Sequence, residues 1–200
     1  MSRVLPILFN TEMVQAILDG RKTVTRRLVK FEGNKNPNWT GYIKDGLVLY
    51  NGTNEPCSKP CQYKIGDVLY VRETWCSRYD GEKYFYLADK CTKREEKKLL
   101  DYGEVKWRPS IHMPKEAARI FLKVKDVRVE RLQDITDEGA YREGAGDKDV
   151  IYQTGARVLE FARLWDSTIK KSDIEKYGWS ANPWVWVIEF ERCEKPEEWK

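Results

Sequence analysis

The chain has 200 residues, of which 41% are hydrophobic and 34% are charged. This length fits one domain with a long insertion, and the composition supports a packed core rather than extended disorder. The 36 basic and 32 acidic residues leave a net charge of only +4, unlike a protein that coats duplex DNA. The sequence therefore favours a local basic pocket over a surface that tracks phosphates.

Hydropathy and cysteine usage indicate the compartment. The sequence contains no apolar run long enough to cross a bilayer, and its N-terminal apolar stretch is too short for a signal peptide. Five cysteines without a repeated spacing argue against a disulfide framework. We expect a cytoplasmic protein with no membrane partner and no obligate protein partner. Cys57 and Cys61 could bind zinc together with Cys76 and His112, but without a second close pair we expect neither metal nor cofactor.

The first thirty residues predict a strand, a helix and a second strand. An apolar run over residues 4–9 precedes a helix that Asn10 or Thr11 can cap and that Gly20 ends. Because glycine tolerates the left-handed backbone, the chain can reverse there and continue as an extended segment over residues 21–29.

The segment from 30 to 64 is predicted to be an insertion into the domain. Its polar start precedes a hairpin with a strong turn signal at Asp45-Gly46. Because this segment interrupts two more regular stretches, we expect it to be peripheral to the functional site.

The rest of the chain predicts strands mixed with short helices. Strands are expected at residues 68–71, 84–88, 120–132 and 184–191, and helices at 92–100, at 136–144 and after Gly155. A change of phase near Asp126 suggests a bulge in the long third strand. Without regular βαβ alternation, these elements favour a single α+β domain over residues 1–200, with a β-barrel and short flanking helices.

The densest cationic segment is GRKTVTRR, residues 20–27. On an extended strand Lys22 and Arg27 would point to opposite faces, so they can share a pocket only if the chain turns or bulges between them. Gly20 makes such a turn possible. A solvated basic edge strand is the alternative to a phosphate or base site.

This segment resembles the Gly-x-Lys-x-x-Glu-x-Arg signature of ASCH domains, which are relatives of the PUA RNA-binding barrel. Thr25 stands where the signature has glutamate, and this is similar to the small ASCH amidohydrolases that deacetylate acetylated cytidine. The resemblance implies a PUA-like barrel and assigns catalytic roles to Lys22, Thr25 and Glu143, with Arg27 at the edge of the site. These side chains have suitable chemistry for such roles. A desolvated lysine can act as a base, a threonine hydroxyl can act as a nucleophile, and a glutamate can accept a proton.

Further blocks resemble a phage and prophage branch of ASCH proteins: ILFNTEMVQAILDGRKTVTRR, KIGDVLYVRETW, WRPSIHMP and NPWVWVIEF. Two of these blocks contain side chains suited to clamp a phosphate or to stack on a base. We expect six of them to wall the pocket: Arg72, Glu73, Trp75, Arg108, Ser110 and His112.

Several functions remain open at this point. The first is a binding module for RNA or a modified nucleoside or nucleotide, and the second is an amidohydrolase that acts on acetylated cytidine in the same pocket. A ribonuclease, in which the cations stabilise phosphorane charge, is a third. An accessory role in phage, with the fold used only as an interaction surface, is the fourth.

Overall fold

The computed structural model describes residues 3–32, 42–44, 48–77, 84–89, 106–146 and 155–197. The strands in chain order are β1 (Val4–Leu8), β2 (Val24–Leu28), β3 (Tyr42–Lys44), β4 (Val48–Tyr50), β5 (Val68–Arg72), β6 (Trp75–Ser77), β7 (Tyr84–Tyr86), β8 (Phe121–Arg131) and β9 (Trp184–Cys193). The α-helices are α1 (Thr11–Leu18), α2 (Asp137–Arg142), α3 (Ala156–Thr168) and α4 (Ile174–Tyr177). The turn predicted at Asp45-Gly46 and the helix predicted over 92–100 lie outside the described residues.

A mixed five-stranded sheet organises the molecule, in the order β1-β5-β8-β9-β2. The β1–β5 pair is parallel and the other three pairs are antiparallel. Two antiparallel pairs, β3–β4 and β6–β7, form separate small sheets. The α+β class is therefore confirmed, as is the expectation that β5, β8 and β9 are neighbours.

The two ends of the large sheet approach each other through a side chain. β1 and β2 are the end strands, and no backbone ladder joins them in the described part of the chain. Arg27 on β2 instead donates from Nη2 to the carbonyl oxygen of Leu8 on β1, 3.1 Å away. The sheet is thus open between β1 and β2, where the expected barrel would close, and the guanidinium of Arg27 bridges the two strands instead.

The bulge predicted in the long strand lies at Lys125. Val124 pairs with Phe190 and Asp126 with Glu189, so one residue of β8 has no partner in the ladder. The extra residue keeps Val124 and Val127 on the same buried face, although their spacing in sequence is odd.

Strand β9 is buried on both faces and separates two apolar layers. Trp186, Ile188 and Phe190 pack into the main core, which is completed by β1, α1, β5 and β8. Val185 and Val187 pack on the other face against α2 and α3. The alternation of the sequence predicts both faces.

The second half of the predicted insertion contributes to the main core. Leu49, Cys57, Cys61 and Tyr63 are buried in it. The Tyr63 hydroxyl donates to the carbonyl oxygen of Pro6 at 3.0 Å, which ties this segment to β1. In the described residues, no helix is long and apolar enough to span a membrane.

Candidate functional site

The turn after α1 delivers Lys22 to the edge of the sheet. The Asn10 side chain caps the start of α1 by accepting from the backbone N–H of Met13 at 2.9 Å. The helix ends at Leu18, and Gly20 follows with a φ of +76°, the left-handed conformation that favours glycine. The N–H of Lys22 then donates back to Ala16 at 2.9 Å, so Lys22 lies in the reversal before β2 begins. The turn at Gly20 that the sequence predicts is therefore present.

Strand β2 presents carbonyl groups along its outer edge, opposite β9. The backbone of Thr23 and of Val29 is bonded to β9, so the residues between them alternate toward and away from that strand. Val24 O accepts from Lys22 Nζ at 2.8 Å, and Arg26 O accepts from Arg27 Nη1 at 3.3 Å. Two cationic side chains thus occupy the free edge of the sheet.

Glu143 reaches the same place from the end of α2. It is the C-cap residue of that helix and is only 5% exposed. Gly144 follows with a φ of +96°, and a Cβ there would lie 3.0 Å from the Ala16 side chain. This close approach brings α2 against α1 and sets Glu143 beside Lys22.

Lys22 forms a buried ion pair with Glu143. Its Nζ lies 2.7 Å from Glu143 Oε2, 2.7 Å from the Glu143 carbonyl oxygen and 2.8 Å from Val24 O. Burial lowers the pKa of Lys22 below its ordinary value, the charges of Arg27 and Arg26 lower it further, and Glu143 opposes them. The three acceptors match the three N–H groups of an ammonium, so the arrangement suits Lys22 as a hydrogen-bond donor.

Arg26 binds the other oxygen of the same carboxylate. Its Nη1 lies 3.1 Å from Glu143 Oε1, and its Nη2 lies 3.2 Å from Glu130 Oε2 on β8. The guanidinium carbon lies 5.8 Å from the ring centroid of Phe161. The Nε atom of Arg26, however, is buried without a hydrogen-bond partner in the described structure. A buried donor without an acceptor costs free energy.

Thr25 is the second polar group without a partner. The residue is 1% exposed, and its hydroxyl forms no hydrogen bond with the residues that the structure describes. A buried hydroxyl is normally bonded, so an unpaired one at a cavity wall indicates a place for a ligand atom.

A cavity of about 230 Å³ connects these groups. It follows the free edge of β2 and is therefore bordered by residues from both faces of that strand. Its polar lining contains three cations and one carboxylate, Lys22, Arg26, Arg27 and Glu143, with Thr25 beside them. The rest of the lining is Phe9, Asn10, Met13, Leu28, Phe161, Leu164, Trp165, Thr168 and Ile169. The excess of positive charge and the aromatic walls suit a flat ligand rich in acceptor atoms.

Arg27 lies at the edge of this cavity, as expected. Its guanidinium and the ammonium of Lys22 both lie 5.4 Å from the ring centroid of Phe9. Two of its nitrogens are bonded to backbone carbonyls, and it makes no ion pair in the described part of the molecule. Its charge is therefore not neutralised locally.

The six residues that were expected to wall the pocket lie outside the cavity lining. Arg72 donates from Nε to Met113 O at 3.0 Å and from Nη2 to Ile111 O, and so holds the 110–113 turn. Buried Glu73 is bound by Arg119. Trp75 packs in a third cluster, where its Nε1 has no acceptor in the described structure.

The WRPSIHMP block lies beside that third cluster. The exposed Arg108 stacks over Trp75 at 5.1 Å. Ser110 and the exposed His112 belong to a single 3₁₀ turn. The sequence missed the apolar half of the cavity, Phe9, Phe161 and Trp165, because their patterns predict ordinary core positions.

The residues named as alternative zinc ligands differ in exposure. Cys57, Cys61 and Cys76 are buried and form no disulfide with a cysteine that the structure describes, whereas His112 is exposed. In the described ranges, no three His, Cys, Asp or Glu side chains are grouped to hold a metal ion.

The fold and site thus define an α+β protein with a charged, partly unsatisfied cavity at a sheet edge. No family model and no curated protein matches the sequence. The chain is similar to the ASCH domain structure from Lactobacillus crispatus JV V101, with 12% identity and a TM-score of 0.39 over 95% of this chain and 79% of that one. It is also similar to the hypothetical protein PH0355, with 14% identity and a TM-score of 0.39 over 95% of this chain and 99% of that one. At these low TM-scores, the ASCH assignment continues to rest on the sequence motif.

Proposed function

We propose that this is an ASCH-type protein whose cavity binds a nucleoside, with the base against Phe9, Phe161 and Trp165. The observation that carries the proposal is a cavity whose lining combines three cations and the Thr25 hydroxyl with the rings of Phe9, Phe161 and Trp165. A carbonyl oxygen or ring nitrogen of a nucleobase would accept from Arg26, and the Thr25 hydroxyl would bond to a second polar atom of the same edge.

The surrounding residues support a flat ligand of this chemistry. Aromatic side chains offer stacking surfaces that any base can use. The positive excess of the lining favours a ligand with acceptor atoms over a cation. Because the cavity is bordered by α1, β2 and α3, a base would have to enter it as a free nucleoside or as a base turned out of an RNA strand.

Hydrolysis of an amide on an acylated nucleoside is a second candidate, and the free Thr25 hydroxyl favours it. In this chemistry Thr25 Oγ attacks the acyl carbon and the amine leaves with a proton. Water then releases the acyl group from threonine as a carboxylic acid.

The hydrogen bonds of Lys22 restrict its part in such a reaction. As an ammonium it can donate to the acyl oxygen as negative charge develops there. To act as a base, it must first pass a proton to Glu143 Oε2, 2.7 Å away. The lowered pKa of Lys22 is consistent with this transfer.

Thr25→Val tests both functions, because it removes the hydroxyl with almost no change in side-chain volume. We expect calorimetric titration with ribonucleosides and their acylated forms to show binding to the unchanged protein and at least tenfold weaker binding to the variant, about 1.4 kcal/mol. If the protein is a hydrolase, mass detection should show deacylated nucleoside with the unchanged protein only.

Thr168→Val is the matched control. Thr168 lines the same cavity, but its hydroxyl already donates to Trp165 O at 2.7 Å. This variant should bind as the unchanged protein does. Equal losses in the two variants, or no binding of any nucleoside, would contradict the proposal.

A further inference from the structure

A second cavity lies on the other side of Arg27. Its volume is about 320 Å³, and it shares Arg27 and Leu28 with the nucleoside cavity. The remaining lining is Lys30, Lys59, Pro60, Cys61, Gln62, Tyr63, Trp186 and Ile188. The two cavities are therefore adjacent, with the side chains of two successive residues of β2 between them.

The charge of this second cavity has one sign. Its lining contains three cations, Arg27, Lys30 and Lys59, and no carboxylate in the described part of the chain. The nearby carboxylate of Asp67 is neutralised by Arg3, at 2.5 Å. An anion in this cavity would meet no like charge from the lining.

The backbone holds the two lysines side by side. The N–H of Lys59 donates to Lys30 O at 2.8 Å, although the residues are far apart in sequence. Neither ammonium forms an ion pair with a residue that the structure describes. Both side chains are exposed, so a bound anion would meet two cations at this wall.

The floor of the cavity suits a sugar. Tyr63, Trp186 and Ile188 are buried residues that supply an apolar surface. Arg27 uses two of its nitrogens on backbone carbonyls and keeps a free charge between the two cavities. A guanidinium so placed can contact a base on one side and a phosphate on the other.

We propose that the second cavity binds the phosphate of a nucleotide whose base occupies the first. This rests on the proposed function and names the ligand class more closely, as a phosphorylated nucleoside rather than a free one. Within a nucleotide the ribose separates the base from the phosphate, and here the side chains of Arg27 and Leu28 separate the two cavities.

The test compares the four ribonucleosides, their 5′-monophosphates and inorganic phosphate by calorimetric titration. We expect a monophosphate to bind at least about tenfold more tightly than its nucleoside, with added salt weakening only the monophosphate. The double variant Lys30→Met/Lys59→Met should lose most of this preference while keeping its affinity for the nucleoside. Lys64→Met, an exposed lysine of the same segment outside the cavity lining, should keep both.

The outcomes separate this inference from the proposed function. Equal affinity for nucleoside and monophosphate would overturn the inference and leave the nucleoside cavity in place. An equal loss in Lys64→Met would overturn it too, because general attraction would then explain the preference. Binding of inorganic phosphate without binding of any nucleoside or nucleotide would identify free phosphate as the source and would overturn both proposals.

Discussion

Glu143 and Glu73 are both buried carboxylates that arginine binds, and their surroundings differ. Glu143 is bound by Lys22 and Arg26, and the Nε of Arg26 has no partner in the described structure. Glu73 is bound by Arg119 through Nε at 2.9 Å and Nη2 at 3.0 Å, while Nη1 binds Asp89 at 2.6 Å. The Arg119 guanidinium also lies 3.8 Å from the ring centroid of Tyr86.

The difference shows what a buried charge indicates. Every nitrogen of Arg119 that can donate is used, so the Glu73 pair has the character of a structural clamp. The Glu143 pair borders a cavity and has one unsatisfied donor beside it, Arg26 Nε, in the described structure. Burial of a charged pair alone therefore does not indicate a functional site, whereas unpaired polar atoms at a cavity do.

The largest effect is expected from Lys22→Met. The variant leaves Glu143 with one cation instead of two and leaves the carbonyls of Val24 and Glu143 without a donor. We expect the free energy of unfolding to fall by about 3 kcal/mol, because one partner of a buried pair is removed. Denaturant unfolding measures it, and an unchanged midpoint would mean that the cavity does not depend on this pair.

A smaller effect is expected from Glu73→Gln. The amide can keep one hydrogen bond to Arg119 but loses the charge, so stability should fall by about 2 kcal/mol. Nucleoside affinity should not change, because Glu73 lies outside the cavity lining. Parallel unfolding and titration measurements check both statements. If the Glu73→Gln protein is folded but binds nucleosides more weakly, Glu73 belongs to the binding site, as the sequence predicts.

The smallest effect is a pH dependence in the Glu73 region. Burial raises the pKa of Tyr86 to about 12, and the neutral hydroxyl donates to Ala117 O at 2.6 Å. An unfolded chain releases this proton near the ordinary value of 10. The contribution of Tyr86 to stability is thus fully present below pH 10 and is lost as the pH rises through about 12.

Tyr86→Phe isolates that contribution. Its stability should be lower by about 1 kcal/mol near neutral pH, and the difference from the unchanged protein should shrink above pH 10. Denaturant midpoints of the two proteins across this range give the difference, in which the titration of lysines cancels. A difference that stays constant with pH would contradict the raised pKa.

The fold was accessible from sequence where a pattern repeats along the chain. The alternation of residues 184–191 predicts both buried faces of β9, and the phase change near Asp126 predicts the bulge. Whether the barrel closes could not be predicted from the sequence, because closure depends on pairing between two end strands that are far apart in the sheet order. The peripheral role of the insertion stays a prediction. Residues 59–63 line the second cavity, which local polarity could not reveal.

The candidate site could be predicted from the sequence only through the motif. The segment GRKTVTRR and the family resemblance predict that Lys22, Thr25 and Glu143 share a site, and the structure brings all three to one cavity. Their catalytic roles remain a prediction. Arg72 and Glu73 have the right chemistry for a pocket, yet their neighbours in space, Met113 and Arg119, already use it. Sequence does not reveal which charges are already paired.

The occupied edge of β2 has a consequence for the solubility of the protein. A free strand edge is a template on which another chain can add a strand. Here the ammonium of Lys22 and the guanidinium of Arg27 cover the outward carbonyls of Val24 and Arg26. The cations that border the cavity therefore also make these two carbonyls unavailable to another strand. A substitution that removes these cations leaves the carbonyls of Val24 and Arg26 free to pair with another strand. The association state of such a variant should therefore be measured together with its binding.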